Sequence, residues 1–304
     1  MLERTAWFPP TDDRSDPFCT TALPNQIAKH ARLTCYLIGA NAVSRPQDGL
    51  VQLHHLHYGS ANSLCEDEPF WCQPTVVERH GEHYGSFGYS GLLIGPRHVL
   101  TCWHGWTHFF ADAQLAIFDY YARSPCDNPT TLPASRIYRV RPYPSSVPPR
   151  TDAAELASGD WVILELERSV EHLQFEVSPP VIARPQLGRA VYTLGYPCGL
   201  PLKLASNATI LHQGGVEFRT DLDTFSGNSG SPVFDAETHA LVGIVVQGQK
   251  NEGDFEASPS RRCYVSNRVD SKITGQICVS AEEFSAALTA VAAHSGSTTM
   301  MPPC

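Results

Sequence analysis

Long basic runs and long apolar segments are both missing from this chain, and each absence excludes a class of partner. The 22 basic residues stand against 31 acidic ones, which gives a formal net charge of −9. Nucleic-acid-binding proteins usually carry a basic patch instead. No apolar segment approaches the roughly 20 residues that a membrane-spanning helix needs. Neither nucleic acid nor a membrane is therefore expected as a partner.

A secretory signal is also missing from the start of the chain. The first residues, "MLERTAWFPPTDDRSDPF", are charged, contain proline and include no apolar segment. The later segment "KHARLTCYLIGANA" has the basic residues, apolar run and small-residue end of a signal, but it begins late, and a buried strand is the favoured interpretation. The sequence at face value predicts a cytoplasmic protein, with secretion or the periplasm as the alternative.

Metal-binding spacings are missing too. The ten cysteines form neither a C-x-x-C pair nor a zinc-type spacing. No cysteine or carboxylate spacing completes a known zinc site with the histidine-rich segments "LHHLHYG" and "RHGEHYG". The sequence therefore predicts no metal and no cofactor, and it leaves the pairing of the cysteines open.

Helical periodicity is scarce from about residue 74 onward, where short β-type segments alternate with turns. Examples are "YSGLLIG", "HVLTCW", "DWVILEL", "AVYTLGY" and "ALVGIVVQG". So many strands predict a barrel or a sandwich. The proline-rich "SPPVIARPQLG" over 178–188 divides the strands into two groups and is interpreted as an interlobe linker. Residues 1–64, with one compact apolar run, are treated as an N-terminal extension of uncertain fold.

One helix is expected near the end of the chain. In "SAEEFSAALTAVAAH", Ser280 is followed three residues later by Glu283, the pattern of a capping box ahead of an alanine-rich run. This pattern predicts a helix over about 280–294, which we expect to pack on the second group of strands.

The segment "TDLDTFSGNSGSPVFD" places Ser229 between an asparagine and a glycine. Glycine and serine are common in ordinary turns, so this spacing alone does not identify a nucleophile. The apolar "PVF" that follows predicts that the serine lies in a tight loop held by a strand. A rigid loop of this kind is where a nucleophilic serine is expected.

A serine hydroxyl needs a base and a group that orients the base. His104 ends a predicted hairpin in which "GPR" is the turn and "HVLTCW" is the returning strand. Asp160 precedes the apolar strand "WVILEL". Each residue alone is unremarkable, but their order along the chain places them where a cleft between two lobes would gather them with Ser229.

Three blocks of this sequence resemble those of the chymotrypsin-fold serine proteases, most closely those of bacterial trypsin-like peptidases. The blocks are L-T-x-x-H in "VLTCWH", D-W-x-I-L-x-L in "DWVILEL" and G-N-S-G-S-P in "SGNSGSPVF". The resemblance implies two six-stranded antiparallel barrels. It also implies that His104 is the general base and acid, that Asp160 fixes its tautomer and that Ser229 attacks the carbonyl. The N–H groups of Gly227 and Ser229 would then form the oxyanion hole.

The sequence departs from the digestive members of that family at the loop before Ser229. Asn228 replaces an aspartate that pairs with a cleaved amino terminus, so such activation is not expected and local hydrogen bonds are expected to hold the oxyanion hole. Tyr89 and Gly105 stand where a disulfide beside the catalytic histidine would be. Phe225 replaces another half-cystine. Whether Cys263 and Cys278 form a disulfide or remain two thiols is left open.

The resemblance also points to a specificity pocket. Asp223, six residues before Ser229, corresponds to the pocket floor of trypsin-like members and predicts cleavage after Arg or Lys. The alternative is that Asp223 caps the turn that leads into the loop. Gly248 in "GIVVQG" would leave the mouth of the pocket open.

Together these patterns predict an all-β protein with two antiparallel chymotrypsin-like barrels, an N-terminal extension and a C-terminal helix. The protease domain is placed at 65–304, with the first barrel at about 72–177 and the second at about 188–279. The predicted function is a serine endopeptidase whose partner is a protein or peptide substrate. The alternative is a catalytically silent protease-like domain that binds peptides. Residues 1–64 are a candidate contact for a regulatory partner.

Overall fold

The structure is a computed structural model that describes most of the chain. The described residues are 14–19, 23–56, 84–85, 88–109, 114–124, 129–144, 159–173, 177, 179–248, 255–257, 264–266 and 275–297. The α-helices among them are α1 (Asn25–Leu33), α2 (Trp103–Phe109) and α3 (Ser285–Ser297).

The strands of the described residues are short and follow one another in chain order. They are β1 (Thr34–Gly39), β2 (Leu50–Gln52), β3 (His55–Leu56), β4 (Tyr84–Gly85), β5 (Gly88–Gly95), β6 (His98–Thr101), β7 (Gln114–Ile117), β8 (Thr131–Pro133), β9 (Ile137–Pro142), β10 (Val162–Leu166), β11 (Ala190–Gly195), β12 (Lys203–Gly214), β13 (Glu217–Thr220), β14 (Pro232–Asp235), β15 (Leu241–Gln247), β16 (Phe255–Ala257), β17 (Tyr264–Ser266) and β18 (Gln276–Ser280).

Most of these strands close into two barrels of six strands each. The neighbours are β1-β5-β6-β10-β9-β7 in the first barrel and β11-β12-β13-β18-β15-β14 in the second. The pairs within both barrels are antiparallel. The predicted all-β, chymotrypsin-like fold of two barrels with a C-terminal helix is confirmed.

Three strands of the first barrel are buried along their whole length. Every residue of β1, β5 and β6 is buried, as expected for strands whose two faces are both covered. The turn between β5 and β6 falls at Pro96 and Arg97, which confirms the predicted hairpin.

The two barrels meet at a group of buried tyrosines. The ring of Tyr196, which follows β11, lies 5.2 Å from the ring of Tyr36 in β1 and 5.8 Å from the ring of Tyr120. The Tyr196 hydroxyl donates a hydrogen bond of 3.1 Å to the carbonyl of Thr34. Buried aromatic rings contribute large apolar areas, and a buried hydroxyl needs such a partner. These contacts fix how one barrel lies on the other.

The first barrel begins earlier than the sequence predicts. β1 lies within residues 1–64, which the sequence analysis treats as an extension, yet it pairs with both β5 and β7 and completes the barrel. The favoured interpretation of "KHARLTCYLIGANA" as containing a buried strand is confirmed. The boundary at about residue 72 is therefore wrong, because a strand distant in sequence closes the barrel.

The linker and the terminal helix join elements of both barrels. The linker runs along β15, where the Ala183 N–H donates to the Leu241 carbonyl. A 3₁₀ turn (Ala281–Phe284) precedes α3, and the Ser280 hydroxyl accepts from the Glu282 N–H, one residue earlier than a capping box predicts. Phe284 packs on Trp161, 5.9 Å between ring centroids. The helix segment thus contacts the first barrel as well as the second.

Across the described part of the chain, no helix combines the length and the apolar character that crossing a membrane requires.

Candidate active site

His104 and Asp160 are brought together by the pairing of β6 with β10. Val162 stands opposite Thr101 in this antiparallel pair. Asp160 precedes Val162 by two residues, so it falls beside the first residues after β6, where α2 begins with Trp103 and His104. The register of two neighbouring strands therefore places both side chains at the same end of the first barrel.

Asp160 holds His104 through two hydrogen bonds, one to the imidazole and one to the backbone. Oδ2 lies 2.6 Å from His104 Nδ1, and Oδ1 accepts from the backbone N–H of His104 at 2.8 Å. An ionised carboxylate only accepts, so Nδ1 carries the proton. Nε2 is then left as the basic nitrogen. Asp160 itself is buried, and this favours its hydrogen-bonded arrangement.

The surroundings of His104 change how firmly the imidazole holds a proton. Burial lowers the pKa of His104, whereas the Cys102 thiol and the Asp160 carboxylate raise it, and the net pKa lies well above the ordinary value. Cys102 Sγ is 3.8 Å from His104 Nε2. The neutral imidazole therefore becomes the major form only at higher pH than for an ordinary histidine.

The loop of Ser229 is pressed against the first barrel. The Ser90 N–H donates to the Ser229 carbonyl at 2.8 Å, and Ser90 Oγ donates to the Gly227 carbonyl at 2.7 Å. Gly230 has a φ of +81°, and a Cβ there would lie 2.2 Å from the Ser90 carbonyl oxygen. Only glycine allows so close an approach.

This contact brings Ser229 to the end of β6, just before His104. A Cβ on Gly230 would also lie 2.3 Å from Thr101 Oγ1 and 3.0 Å from the Cys102 nitrogen. No hydrogen bond joins Ser229 Oγ to His104 Nε2 among the residues that the structure describes. The structure thus brings the three predicted residues together where the two barrels meet. His104 and Asp160 are hydrogen-bonded to each other.

The turn before Ser229 leaves two backbone donors available. Gly227 has a φ of +98°, and within the described residues neither its N–H nor that of Ser229 donates a hydrogen bond. The Asn228 N–H donates to the Phe225 carbonyl at 2.9 Å. Asn228 Oδ1 accepts from Ser231 Oγ at 3.4 Å. Neutral local hydrogen bonds hold this turn.

Asp223 is buried and lies beside a cation. Its Oδ2 is 3.4 Å from Arg14 Nε, and both side chains are almost fully enclosed. Gly248, at the end of β15, is exposed. Asp223, the predicted floor of the pocket, is thus paired with the positive charge of Arg14. The sequence analysis did not predict this pair.

A family profile described as a trypsin-like peptidase domain matches residues 89–244, just over half of the chain. The chain belongs to this family. The matched residues contain His104, Asp160 and Ser229 together with the strands that hold them. The resemblance to the chymotrypsin-fold serine proteases is confirmed.

Two curated relatives of this trypsin-like peptidase are glutamyl endopeptidases from Staphylococcus epidermidis. One is 26% identical over 177 residues, covering 56% of this chain and 57% of its own length. The other is 26% identical over 170 residues, covering 54% of this chain and 55% of its own length. The chain therefore spans little more than half the length of these relatives.

Solved structures of bacterial proteases are similar at low identity. The Rv3671c protease in its inactive form has 14% identity and a TM-score of 0.44, over 88% of this chain and 92% of that chain. Rv3671c comes from M. tuberculosis H37Rv. A serine endoprotease from Yersinia pestis has 11% identity and a TM-score of 0.49, over 90% of this chain and 68% of that one.

In this trypsin-like peptidase an aromatic ring occupies the place expected for a disulfide. A Cβ on Gly105 would lie 2.6 Å from the ring of Tyr89, so the two residues that replace the half-cystines are in contact. Cys102 and Cys278 are both free thiols, and a disulfide between Cys263 and Cys278 is therefore not formed. Cys263 itself lies outside the described residues.

Sequence reasoning missed three residues of this trypsin-like peptidase site. Ser90 donates hydrogen bonds to the loop of Ser229 and also accepts from the Tyr196 N–H at 3.0 Å; a lone serine in an apolar strand was its only signal. Gln276 is buried near Gly248. Arg14 gave no signal, because its partner is distant in sequence.

No group of three or more potential metal ligands is found in the part of this trypsin-like peptidase that the structure describes. The histidines of "RHGEHYG", His80 and His83, lie outside that part.

Proposed function

We propose that the protein is a serine endopeptidase in which Ser229, His104 and Asp160 act as a catalytic triad. The observation that carries the proposal is the doubly hydrogen-bonded His104–Asp160 pair beside the loop of Ser229. Membership of the trypsin-like peptidase family supports it. The reaction is hydrolysis of a peptide bond through an acyl-enzyme.

The proposed first step is attack of Ser229 Oγ on the carbonyl carbon of the substrate. His104 Nε2 takes the hydroxyl proton as the bond between Oγ and carbon forms. The hydrogen bond from Oγ to Nε2 forms when substrate binds, since such bonds are often unformed without substrate. Asp160 stabilises the imidazolium by keeping its proton on Nδ1.

The tetrahedral intermediate carries a negative charge on the former carbonyl oxygen. The N–H groups of Gly227 and Ser229 are suited to bind this oxygen because they donate to no other described residue. Each donor is typically worth about 10²-fold in rate or more. The bond from Ser90 Oγ to the Gly227 carbonyl keeps the peptide fixed in advance.

Collapse of the intermediate breaks the peptide bond, and His104 gives its proton to the leaving amine. A water molecule then attacks the acyl-enzyme, with His104 again accepting a proton, and Ser229 is released with a new carboxylate product. No further reactant is required.

Labelling by a serine-directed fluorophosphonate tests the proposal. We expect the wild-type protein to be labelled and Ser229→Ala to be unlabelled. His104→Ala should lower the labelling rate by about 10³-fold or more, because the hydroxyl loses its base. Ser226→Ala, an exposed serine in the same turn, is the matched control and should be labelled normally.

Failure of the folded wild-type protein to label, at several pH values and with and without reductant, would contradict the proposal. It would favour the alternative of a silent protease-like domain that binds peptides in the same cleft.

A further inference from the structure

The first described residues of the chain form part of the second barrel. Ser15 and Leu204 exchange two backbone hydrogen bonds of 2.9 Å each. Leu204 pairs on its other side with Leu194 of β11. β13 pairs with β12 only from Ile210 onward. Residues 14–16 therefore occupy the edge of β12 that β13 leaves open.

Two further contacts anchor this segment. Lys203 Nζ lies 2.5 Å from Asp16 Oδ1, and the Lys203 side chain is buried. Phe18 packs on Tyr121 with 4.1 Å between ring centroids. The backbone hydrogen bonds, the ion pair and the ring contact together fix the position of Arg14 on the folded barrel.

Arg14 is delivered beside the carboxylate of Asp223. Its guanidinium lies 4.0 Å above the centre of the Phe225 ring, and its Nε is 3.4 Å from Asp223 Oδ2. Both side chains are about 95% enclosed or more. A buried charge is tolerated when an opposite charge matches it, and this geometry supplies the match from within the chain.

The location of Asp223 follows from the barrel topology. Thr220 at the end of β13 stands opposite Gln276 at the start of β18, and Gln247 at the end of β15 stands opposite Ile277. Asp223, Gln276 and Gly248 therefore lie at one end of the second barrel. The segment from Asp223 leads within six residues to Ser229 at the same end.

The side chain beside Gly248 is the neutral amide of Gln276. Gln276 Oε1 lies 3.4 Å from the point where a Cβ on Gly248 would stand. This oxygen is buried and accepts no hydrogen bond from the residues that the structure describes. An amide offers both an acceptor and donors to a ligand, so it suits an uncharged polar side chain that also does both.

We infer that Arg14 is a specificity-determining residue that neutralises the pocket floor. The pocket therefore selects an uncharged side chain before the cut bond, with Gln and Asn preferred to Arg and Lys. This inference rests on the proposed endopeptidase function. A substrate Arg would have to compete with Arg14 for Asp223. That competition removes the binding free energy that an unpaired carboxylate would give to a substrate Arg.

The first experiment compares peptide substrates that differ only in the residue before the cut bond. For the wild-type protein we expect kcat/KM to be at least about tenfold higher for Gln than for Arg or Lys. A wild-type preference for Arg or Lys would overturn the inference.

Variants of the ion pair give the second comparison. Arg14→Gln should raise the ratio of kcat/KM for Arg over Gln by about tenfold or more, mainly through KM, because a charge in the binding site is gained. Arg14→Lys keeps the positive charge and should keep the wild-type order of kcat/KM among the substrates. Asp223→Asn should shift the preference toward Glu, since it removes the carboxylate that faces Arg14. Arg45→Gln removes an exposed arginine and should change nothing.

The double variant Arg14→Gln/Asp223→Asn separates charge from structural damage. It leaves a neutral floor, so it should keep the wild-type preference for uncharged side chains. If Arg14→Gln alone does not fold, Asp223→Asn and the double variant still decide the result. Unchanged selectivity in every folded variant of Arg14 and Asp223 would overturn the inference.

A binding measurement on Ser229→Ala distinguishes this inference from the proposed chemistry, because it needs no catalysis. Benzamidine, a small aromatic cation, should stabilise Ser229→Ala/Arg14→Gln against heat and leave Ser229→Ala unaffected. Equal stabilisation of both would overturn the role of Arg14. Loss of fluorophosphonate labelling in the wild-type protein, with benzamidine selectivity intact, would instead overturn the catalytic proposal alone.

Discussion

At the scale of single residues, the site depends on what surrounds each functional group. His104 is governed by Asp160 on one ring nitrogen and by Cys102 near the other. Both neighbours raise the pKa of the imidazole, while burial lowers it. The thiol therefore affects the base without belonging to the proposed chemistry.

Replacing Cys102 with alanine should shift the pH dependence of hydrolysis. A general base works only when neutral, so kcat/KM rises as pH passes upward through the pKa of His104. Because the thiol raises that pKa, Cys102→Ala should move the rise to lower pH. The measurement is the pH profile of kcat/KM for the wild-type and variant proteins.

Cys278→Ala, in a buried thiol of the second barrel, is the matched control and should leave the profile in place. A shift to higher pH in Cys102→Ala would contradict this account of the histidine.

At the scale of elements, hydrogen bonds between strand ends hold the second barrel closed. Asp235 ends β14 and accepts two hydrogen bonds of 2.9 Å from Arg189, just before β11. It also accepts from the Thr238 N–H at 2.8 Å. Burial alone would raise the pKa of Asp235, but Arg189 and Thr238 lower it to about 2.

The charge of Asp235 should make stability depend on pH in a defined window. A carboxylate whose pKa is depressed in the folded state stabilises the protein above its unfolded pKa of about 4. That contribution is lost as pH falls toward 2. Asp235→Asn should therefore lower the free energy of unfolding by about 1–3 kcal/mol at pH 7 and by much less at pH 2.

Denaturant unfolding of both proteins at the two pH values measures this difference. A difference that stays constant or grows as pH falls would contradict the assigned role of Asp235.

Gly195, at the end of β11, leaves room for the loop of Ser229 because it has no side chain. A Cβ there would lie 2.0 Å from Ser231 Oγ and 2.4 Å from Asn228 Oδ1. Gly195→Ala should therefore displace the loop and lower kcat by roughly tenfold or more, with the barrels intact. Gly188→Ser is the control for backbone strain without a steric clash. The φ of Gly188 is +78°, and a Cβ there would meet nothing within 4 Å.

Hydrolysis rates and circular dichroism measured together test this prediction. Full activity of Gly195→Ala would show that the loop is less constrained than its contacts indicate.

At the scale of the whole molecule, the early part of the chain is structural. β1 pairs with β5 and β7, so without it the first barrel would have two open edges. A chain that begins at residue 14 should unfold cooperatively on heating. A chain that begins at residue 65 should show no cooperative unfolding. Residues 1–13 are removed in both, so the comparison tests residues 14–64, which contain the Arg14 segment, α1 and β1.

Local motifs explain why the fold class and the pairing of His104 with Asp160 could be predicted from the sequence. His104 and Asp160 each adjoin a short apolar strand, and one strand register brings them together. The partners of β1 and of Arg14 could not be predicted in the same way. These partners lie in β7 and in the segment before Ser229, and no local pattern encodes a pairing over such a distance.

The position of Arg14 also sets an order of assembly during synthesis. All the strands of the first barrel precede the linker, so this barrel can close before the second is made. The Arg14 segment, although made first, finds its partners Leu204 and Asp223 only when the second barrel emerges. The ion pair between Arg14 and Asp223 is therefore completed last, although Arg14 is the first of the described residues to be synthesised.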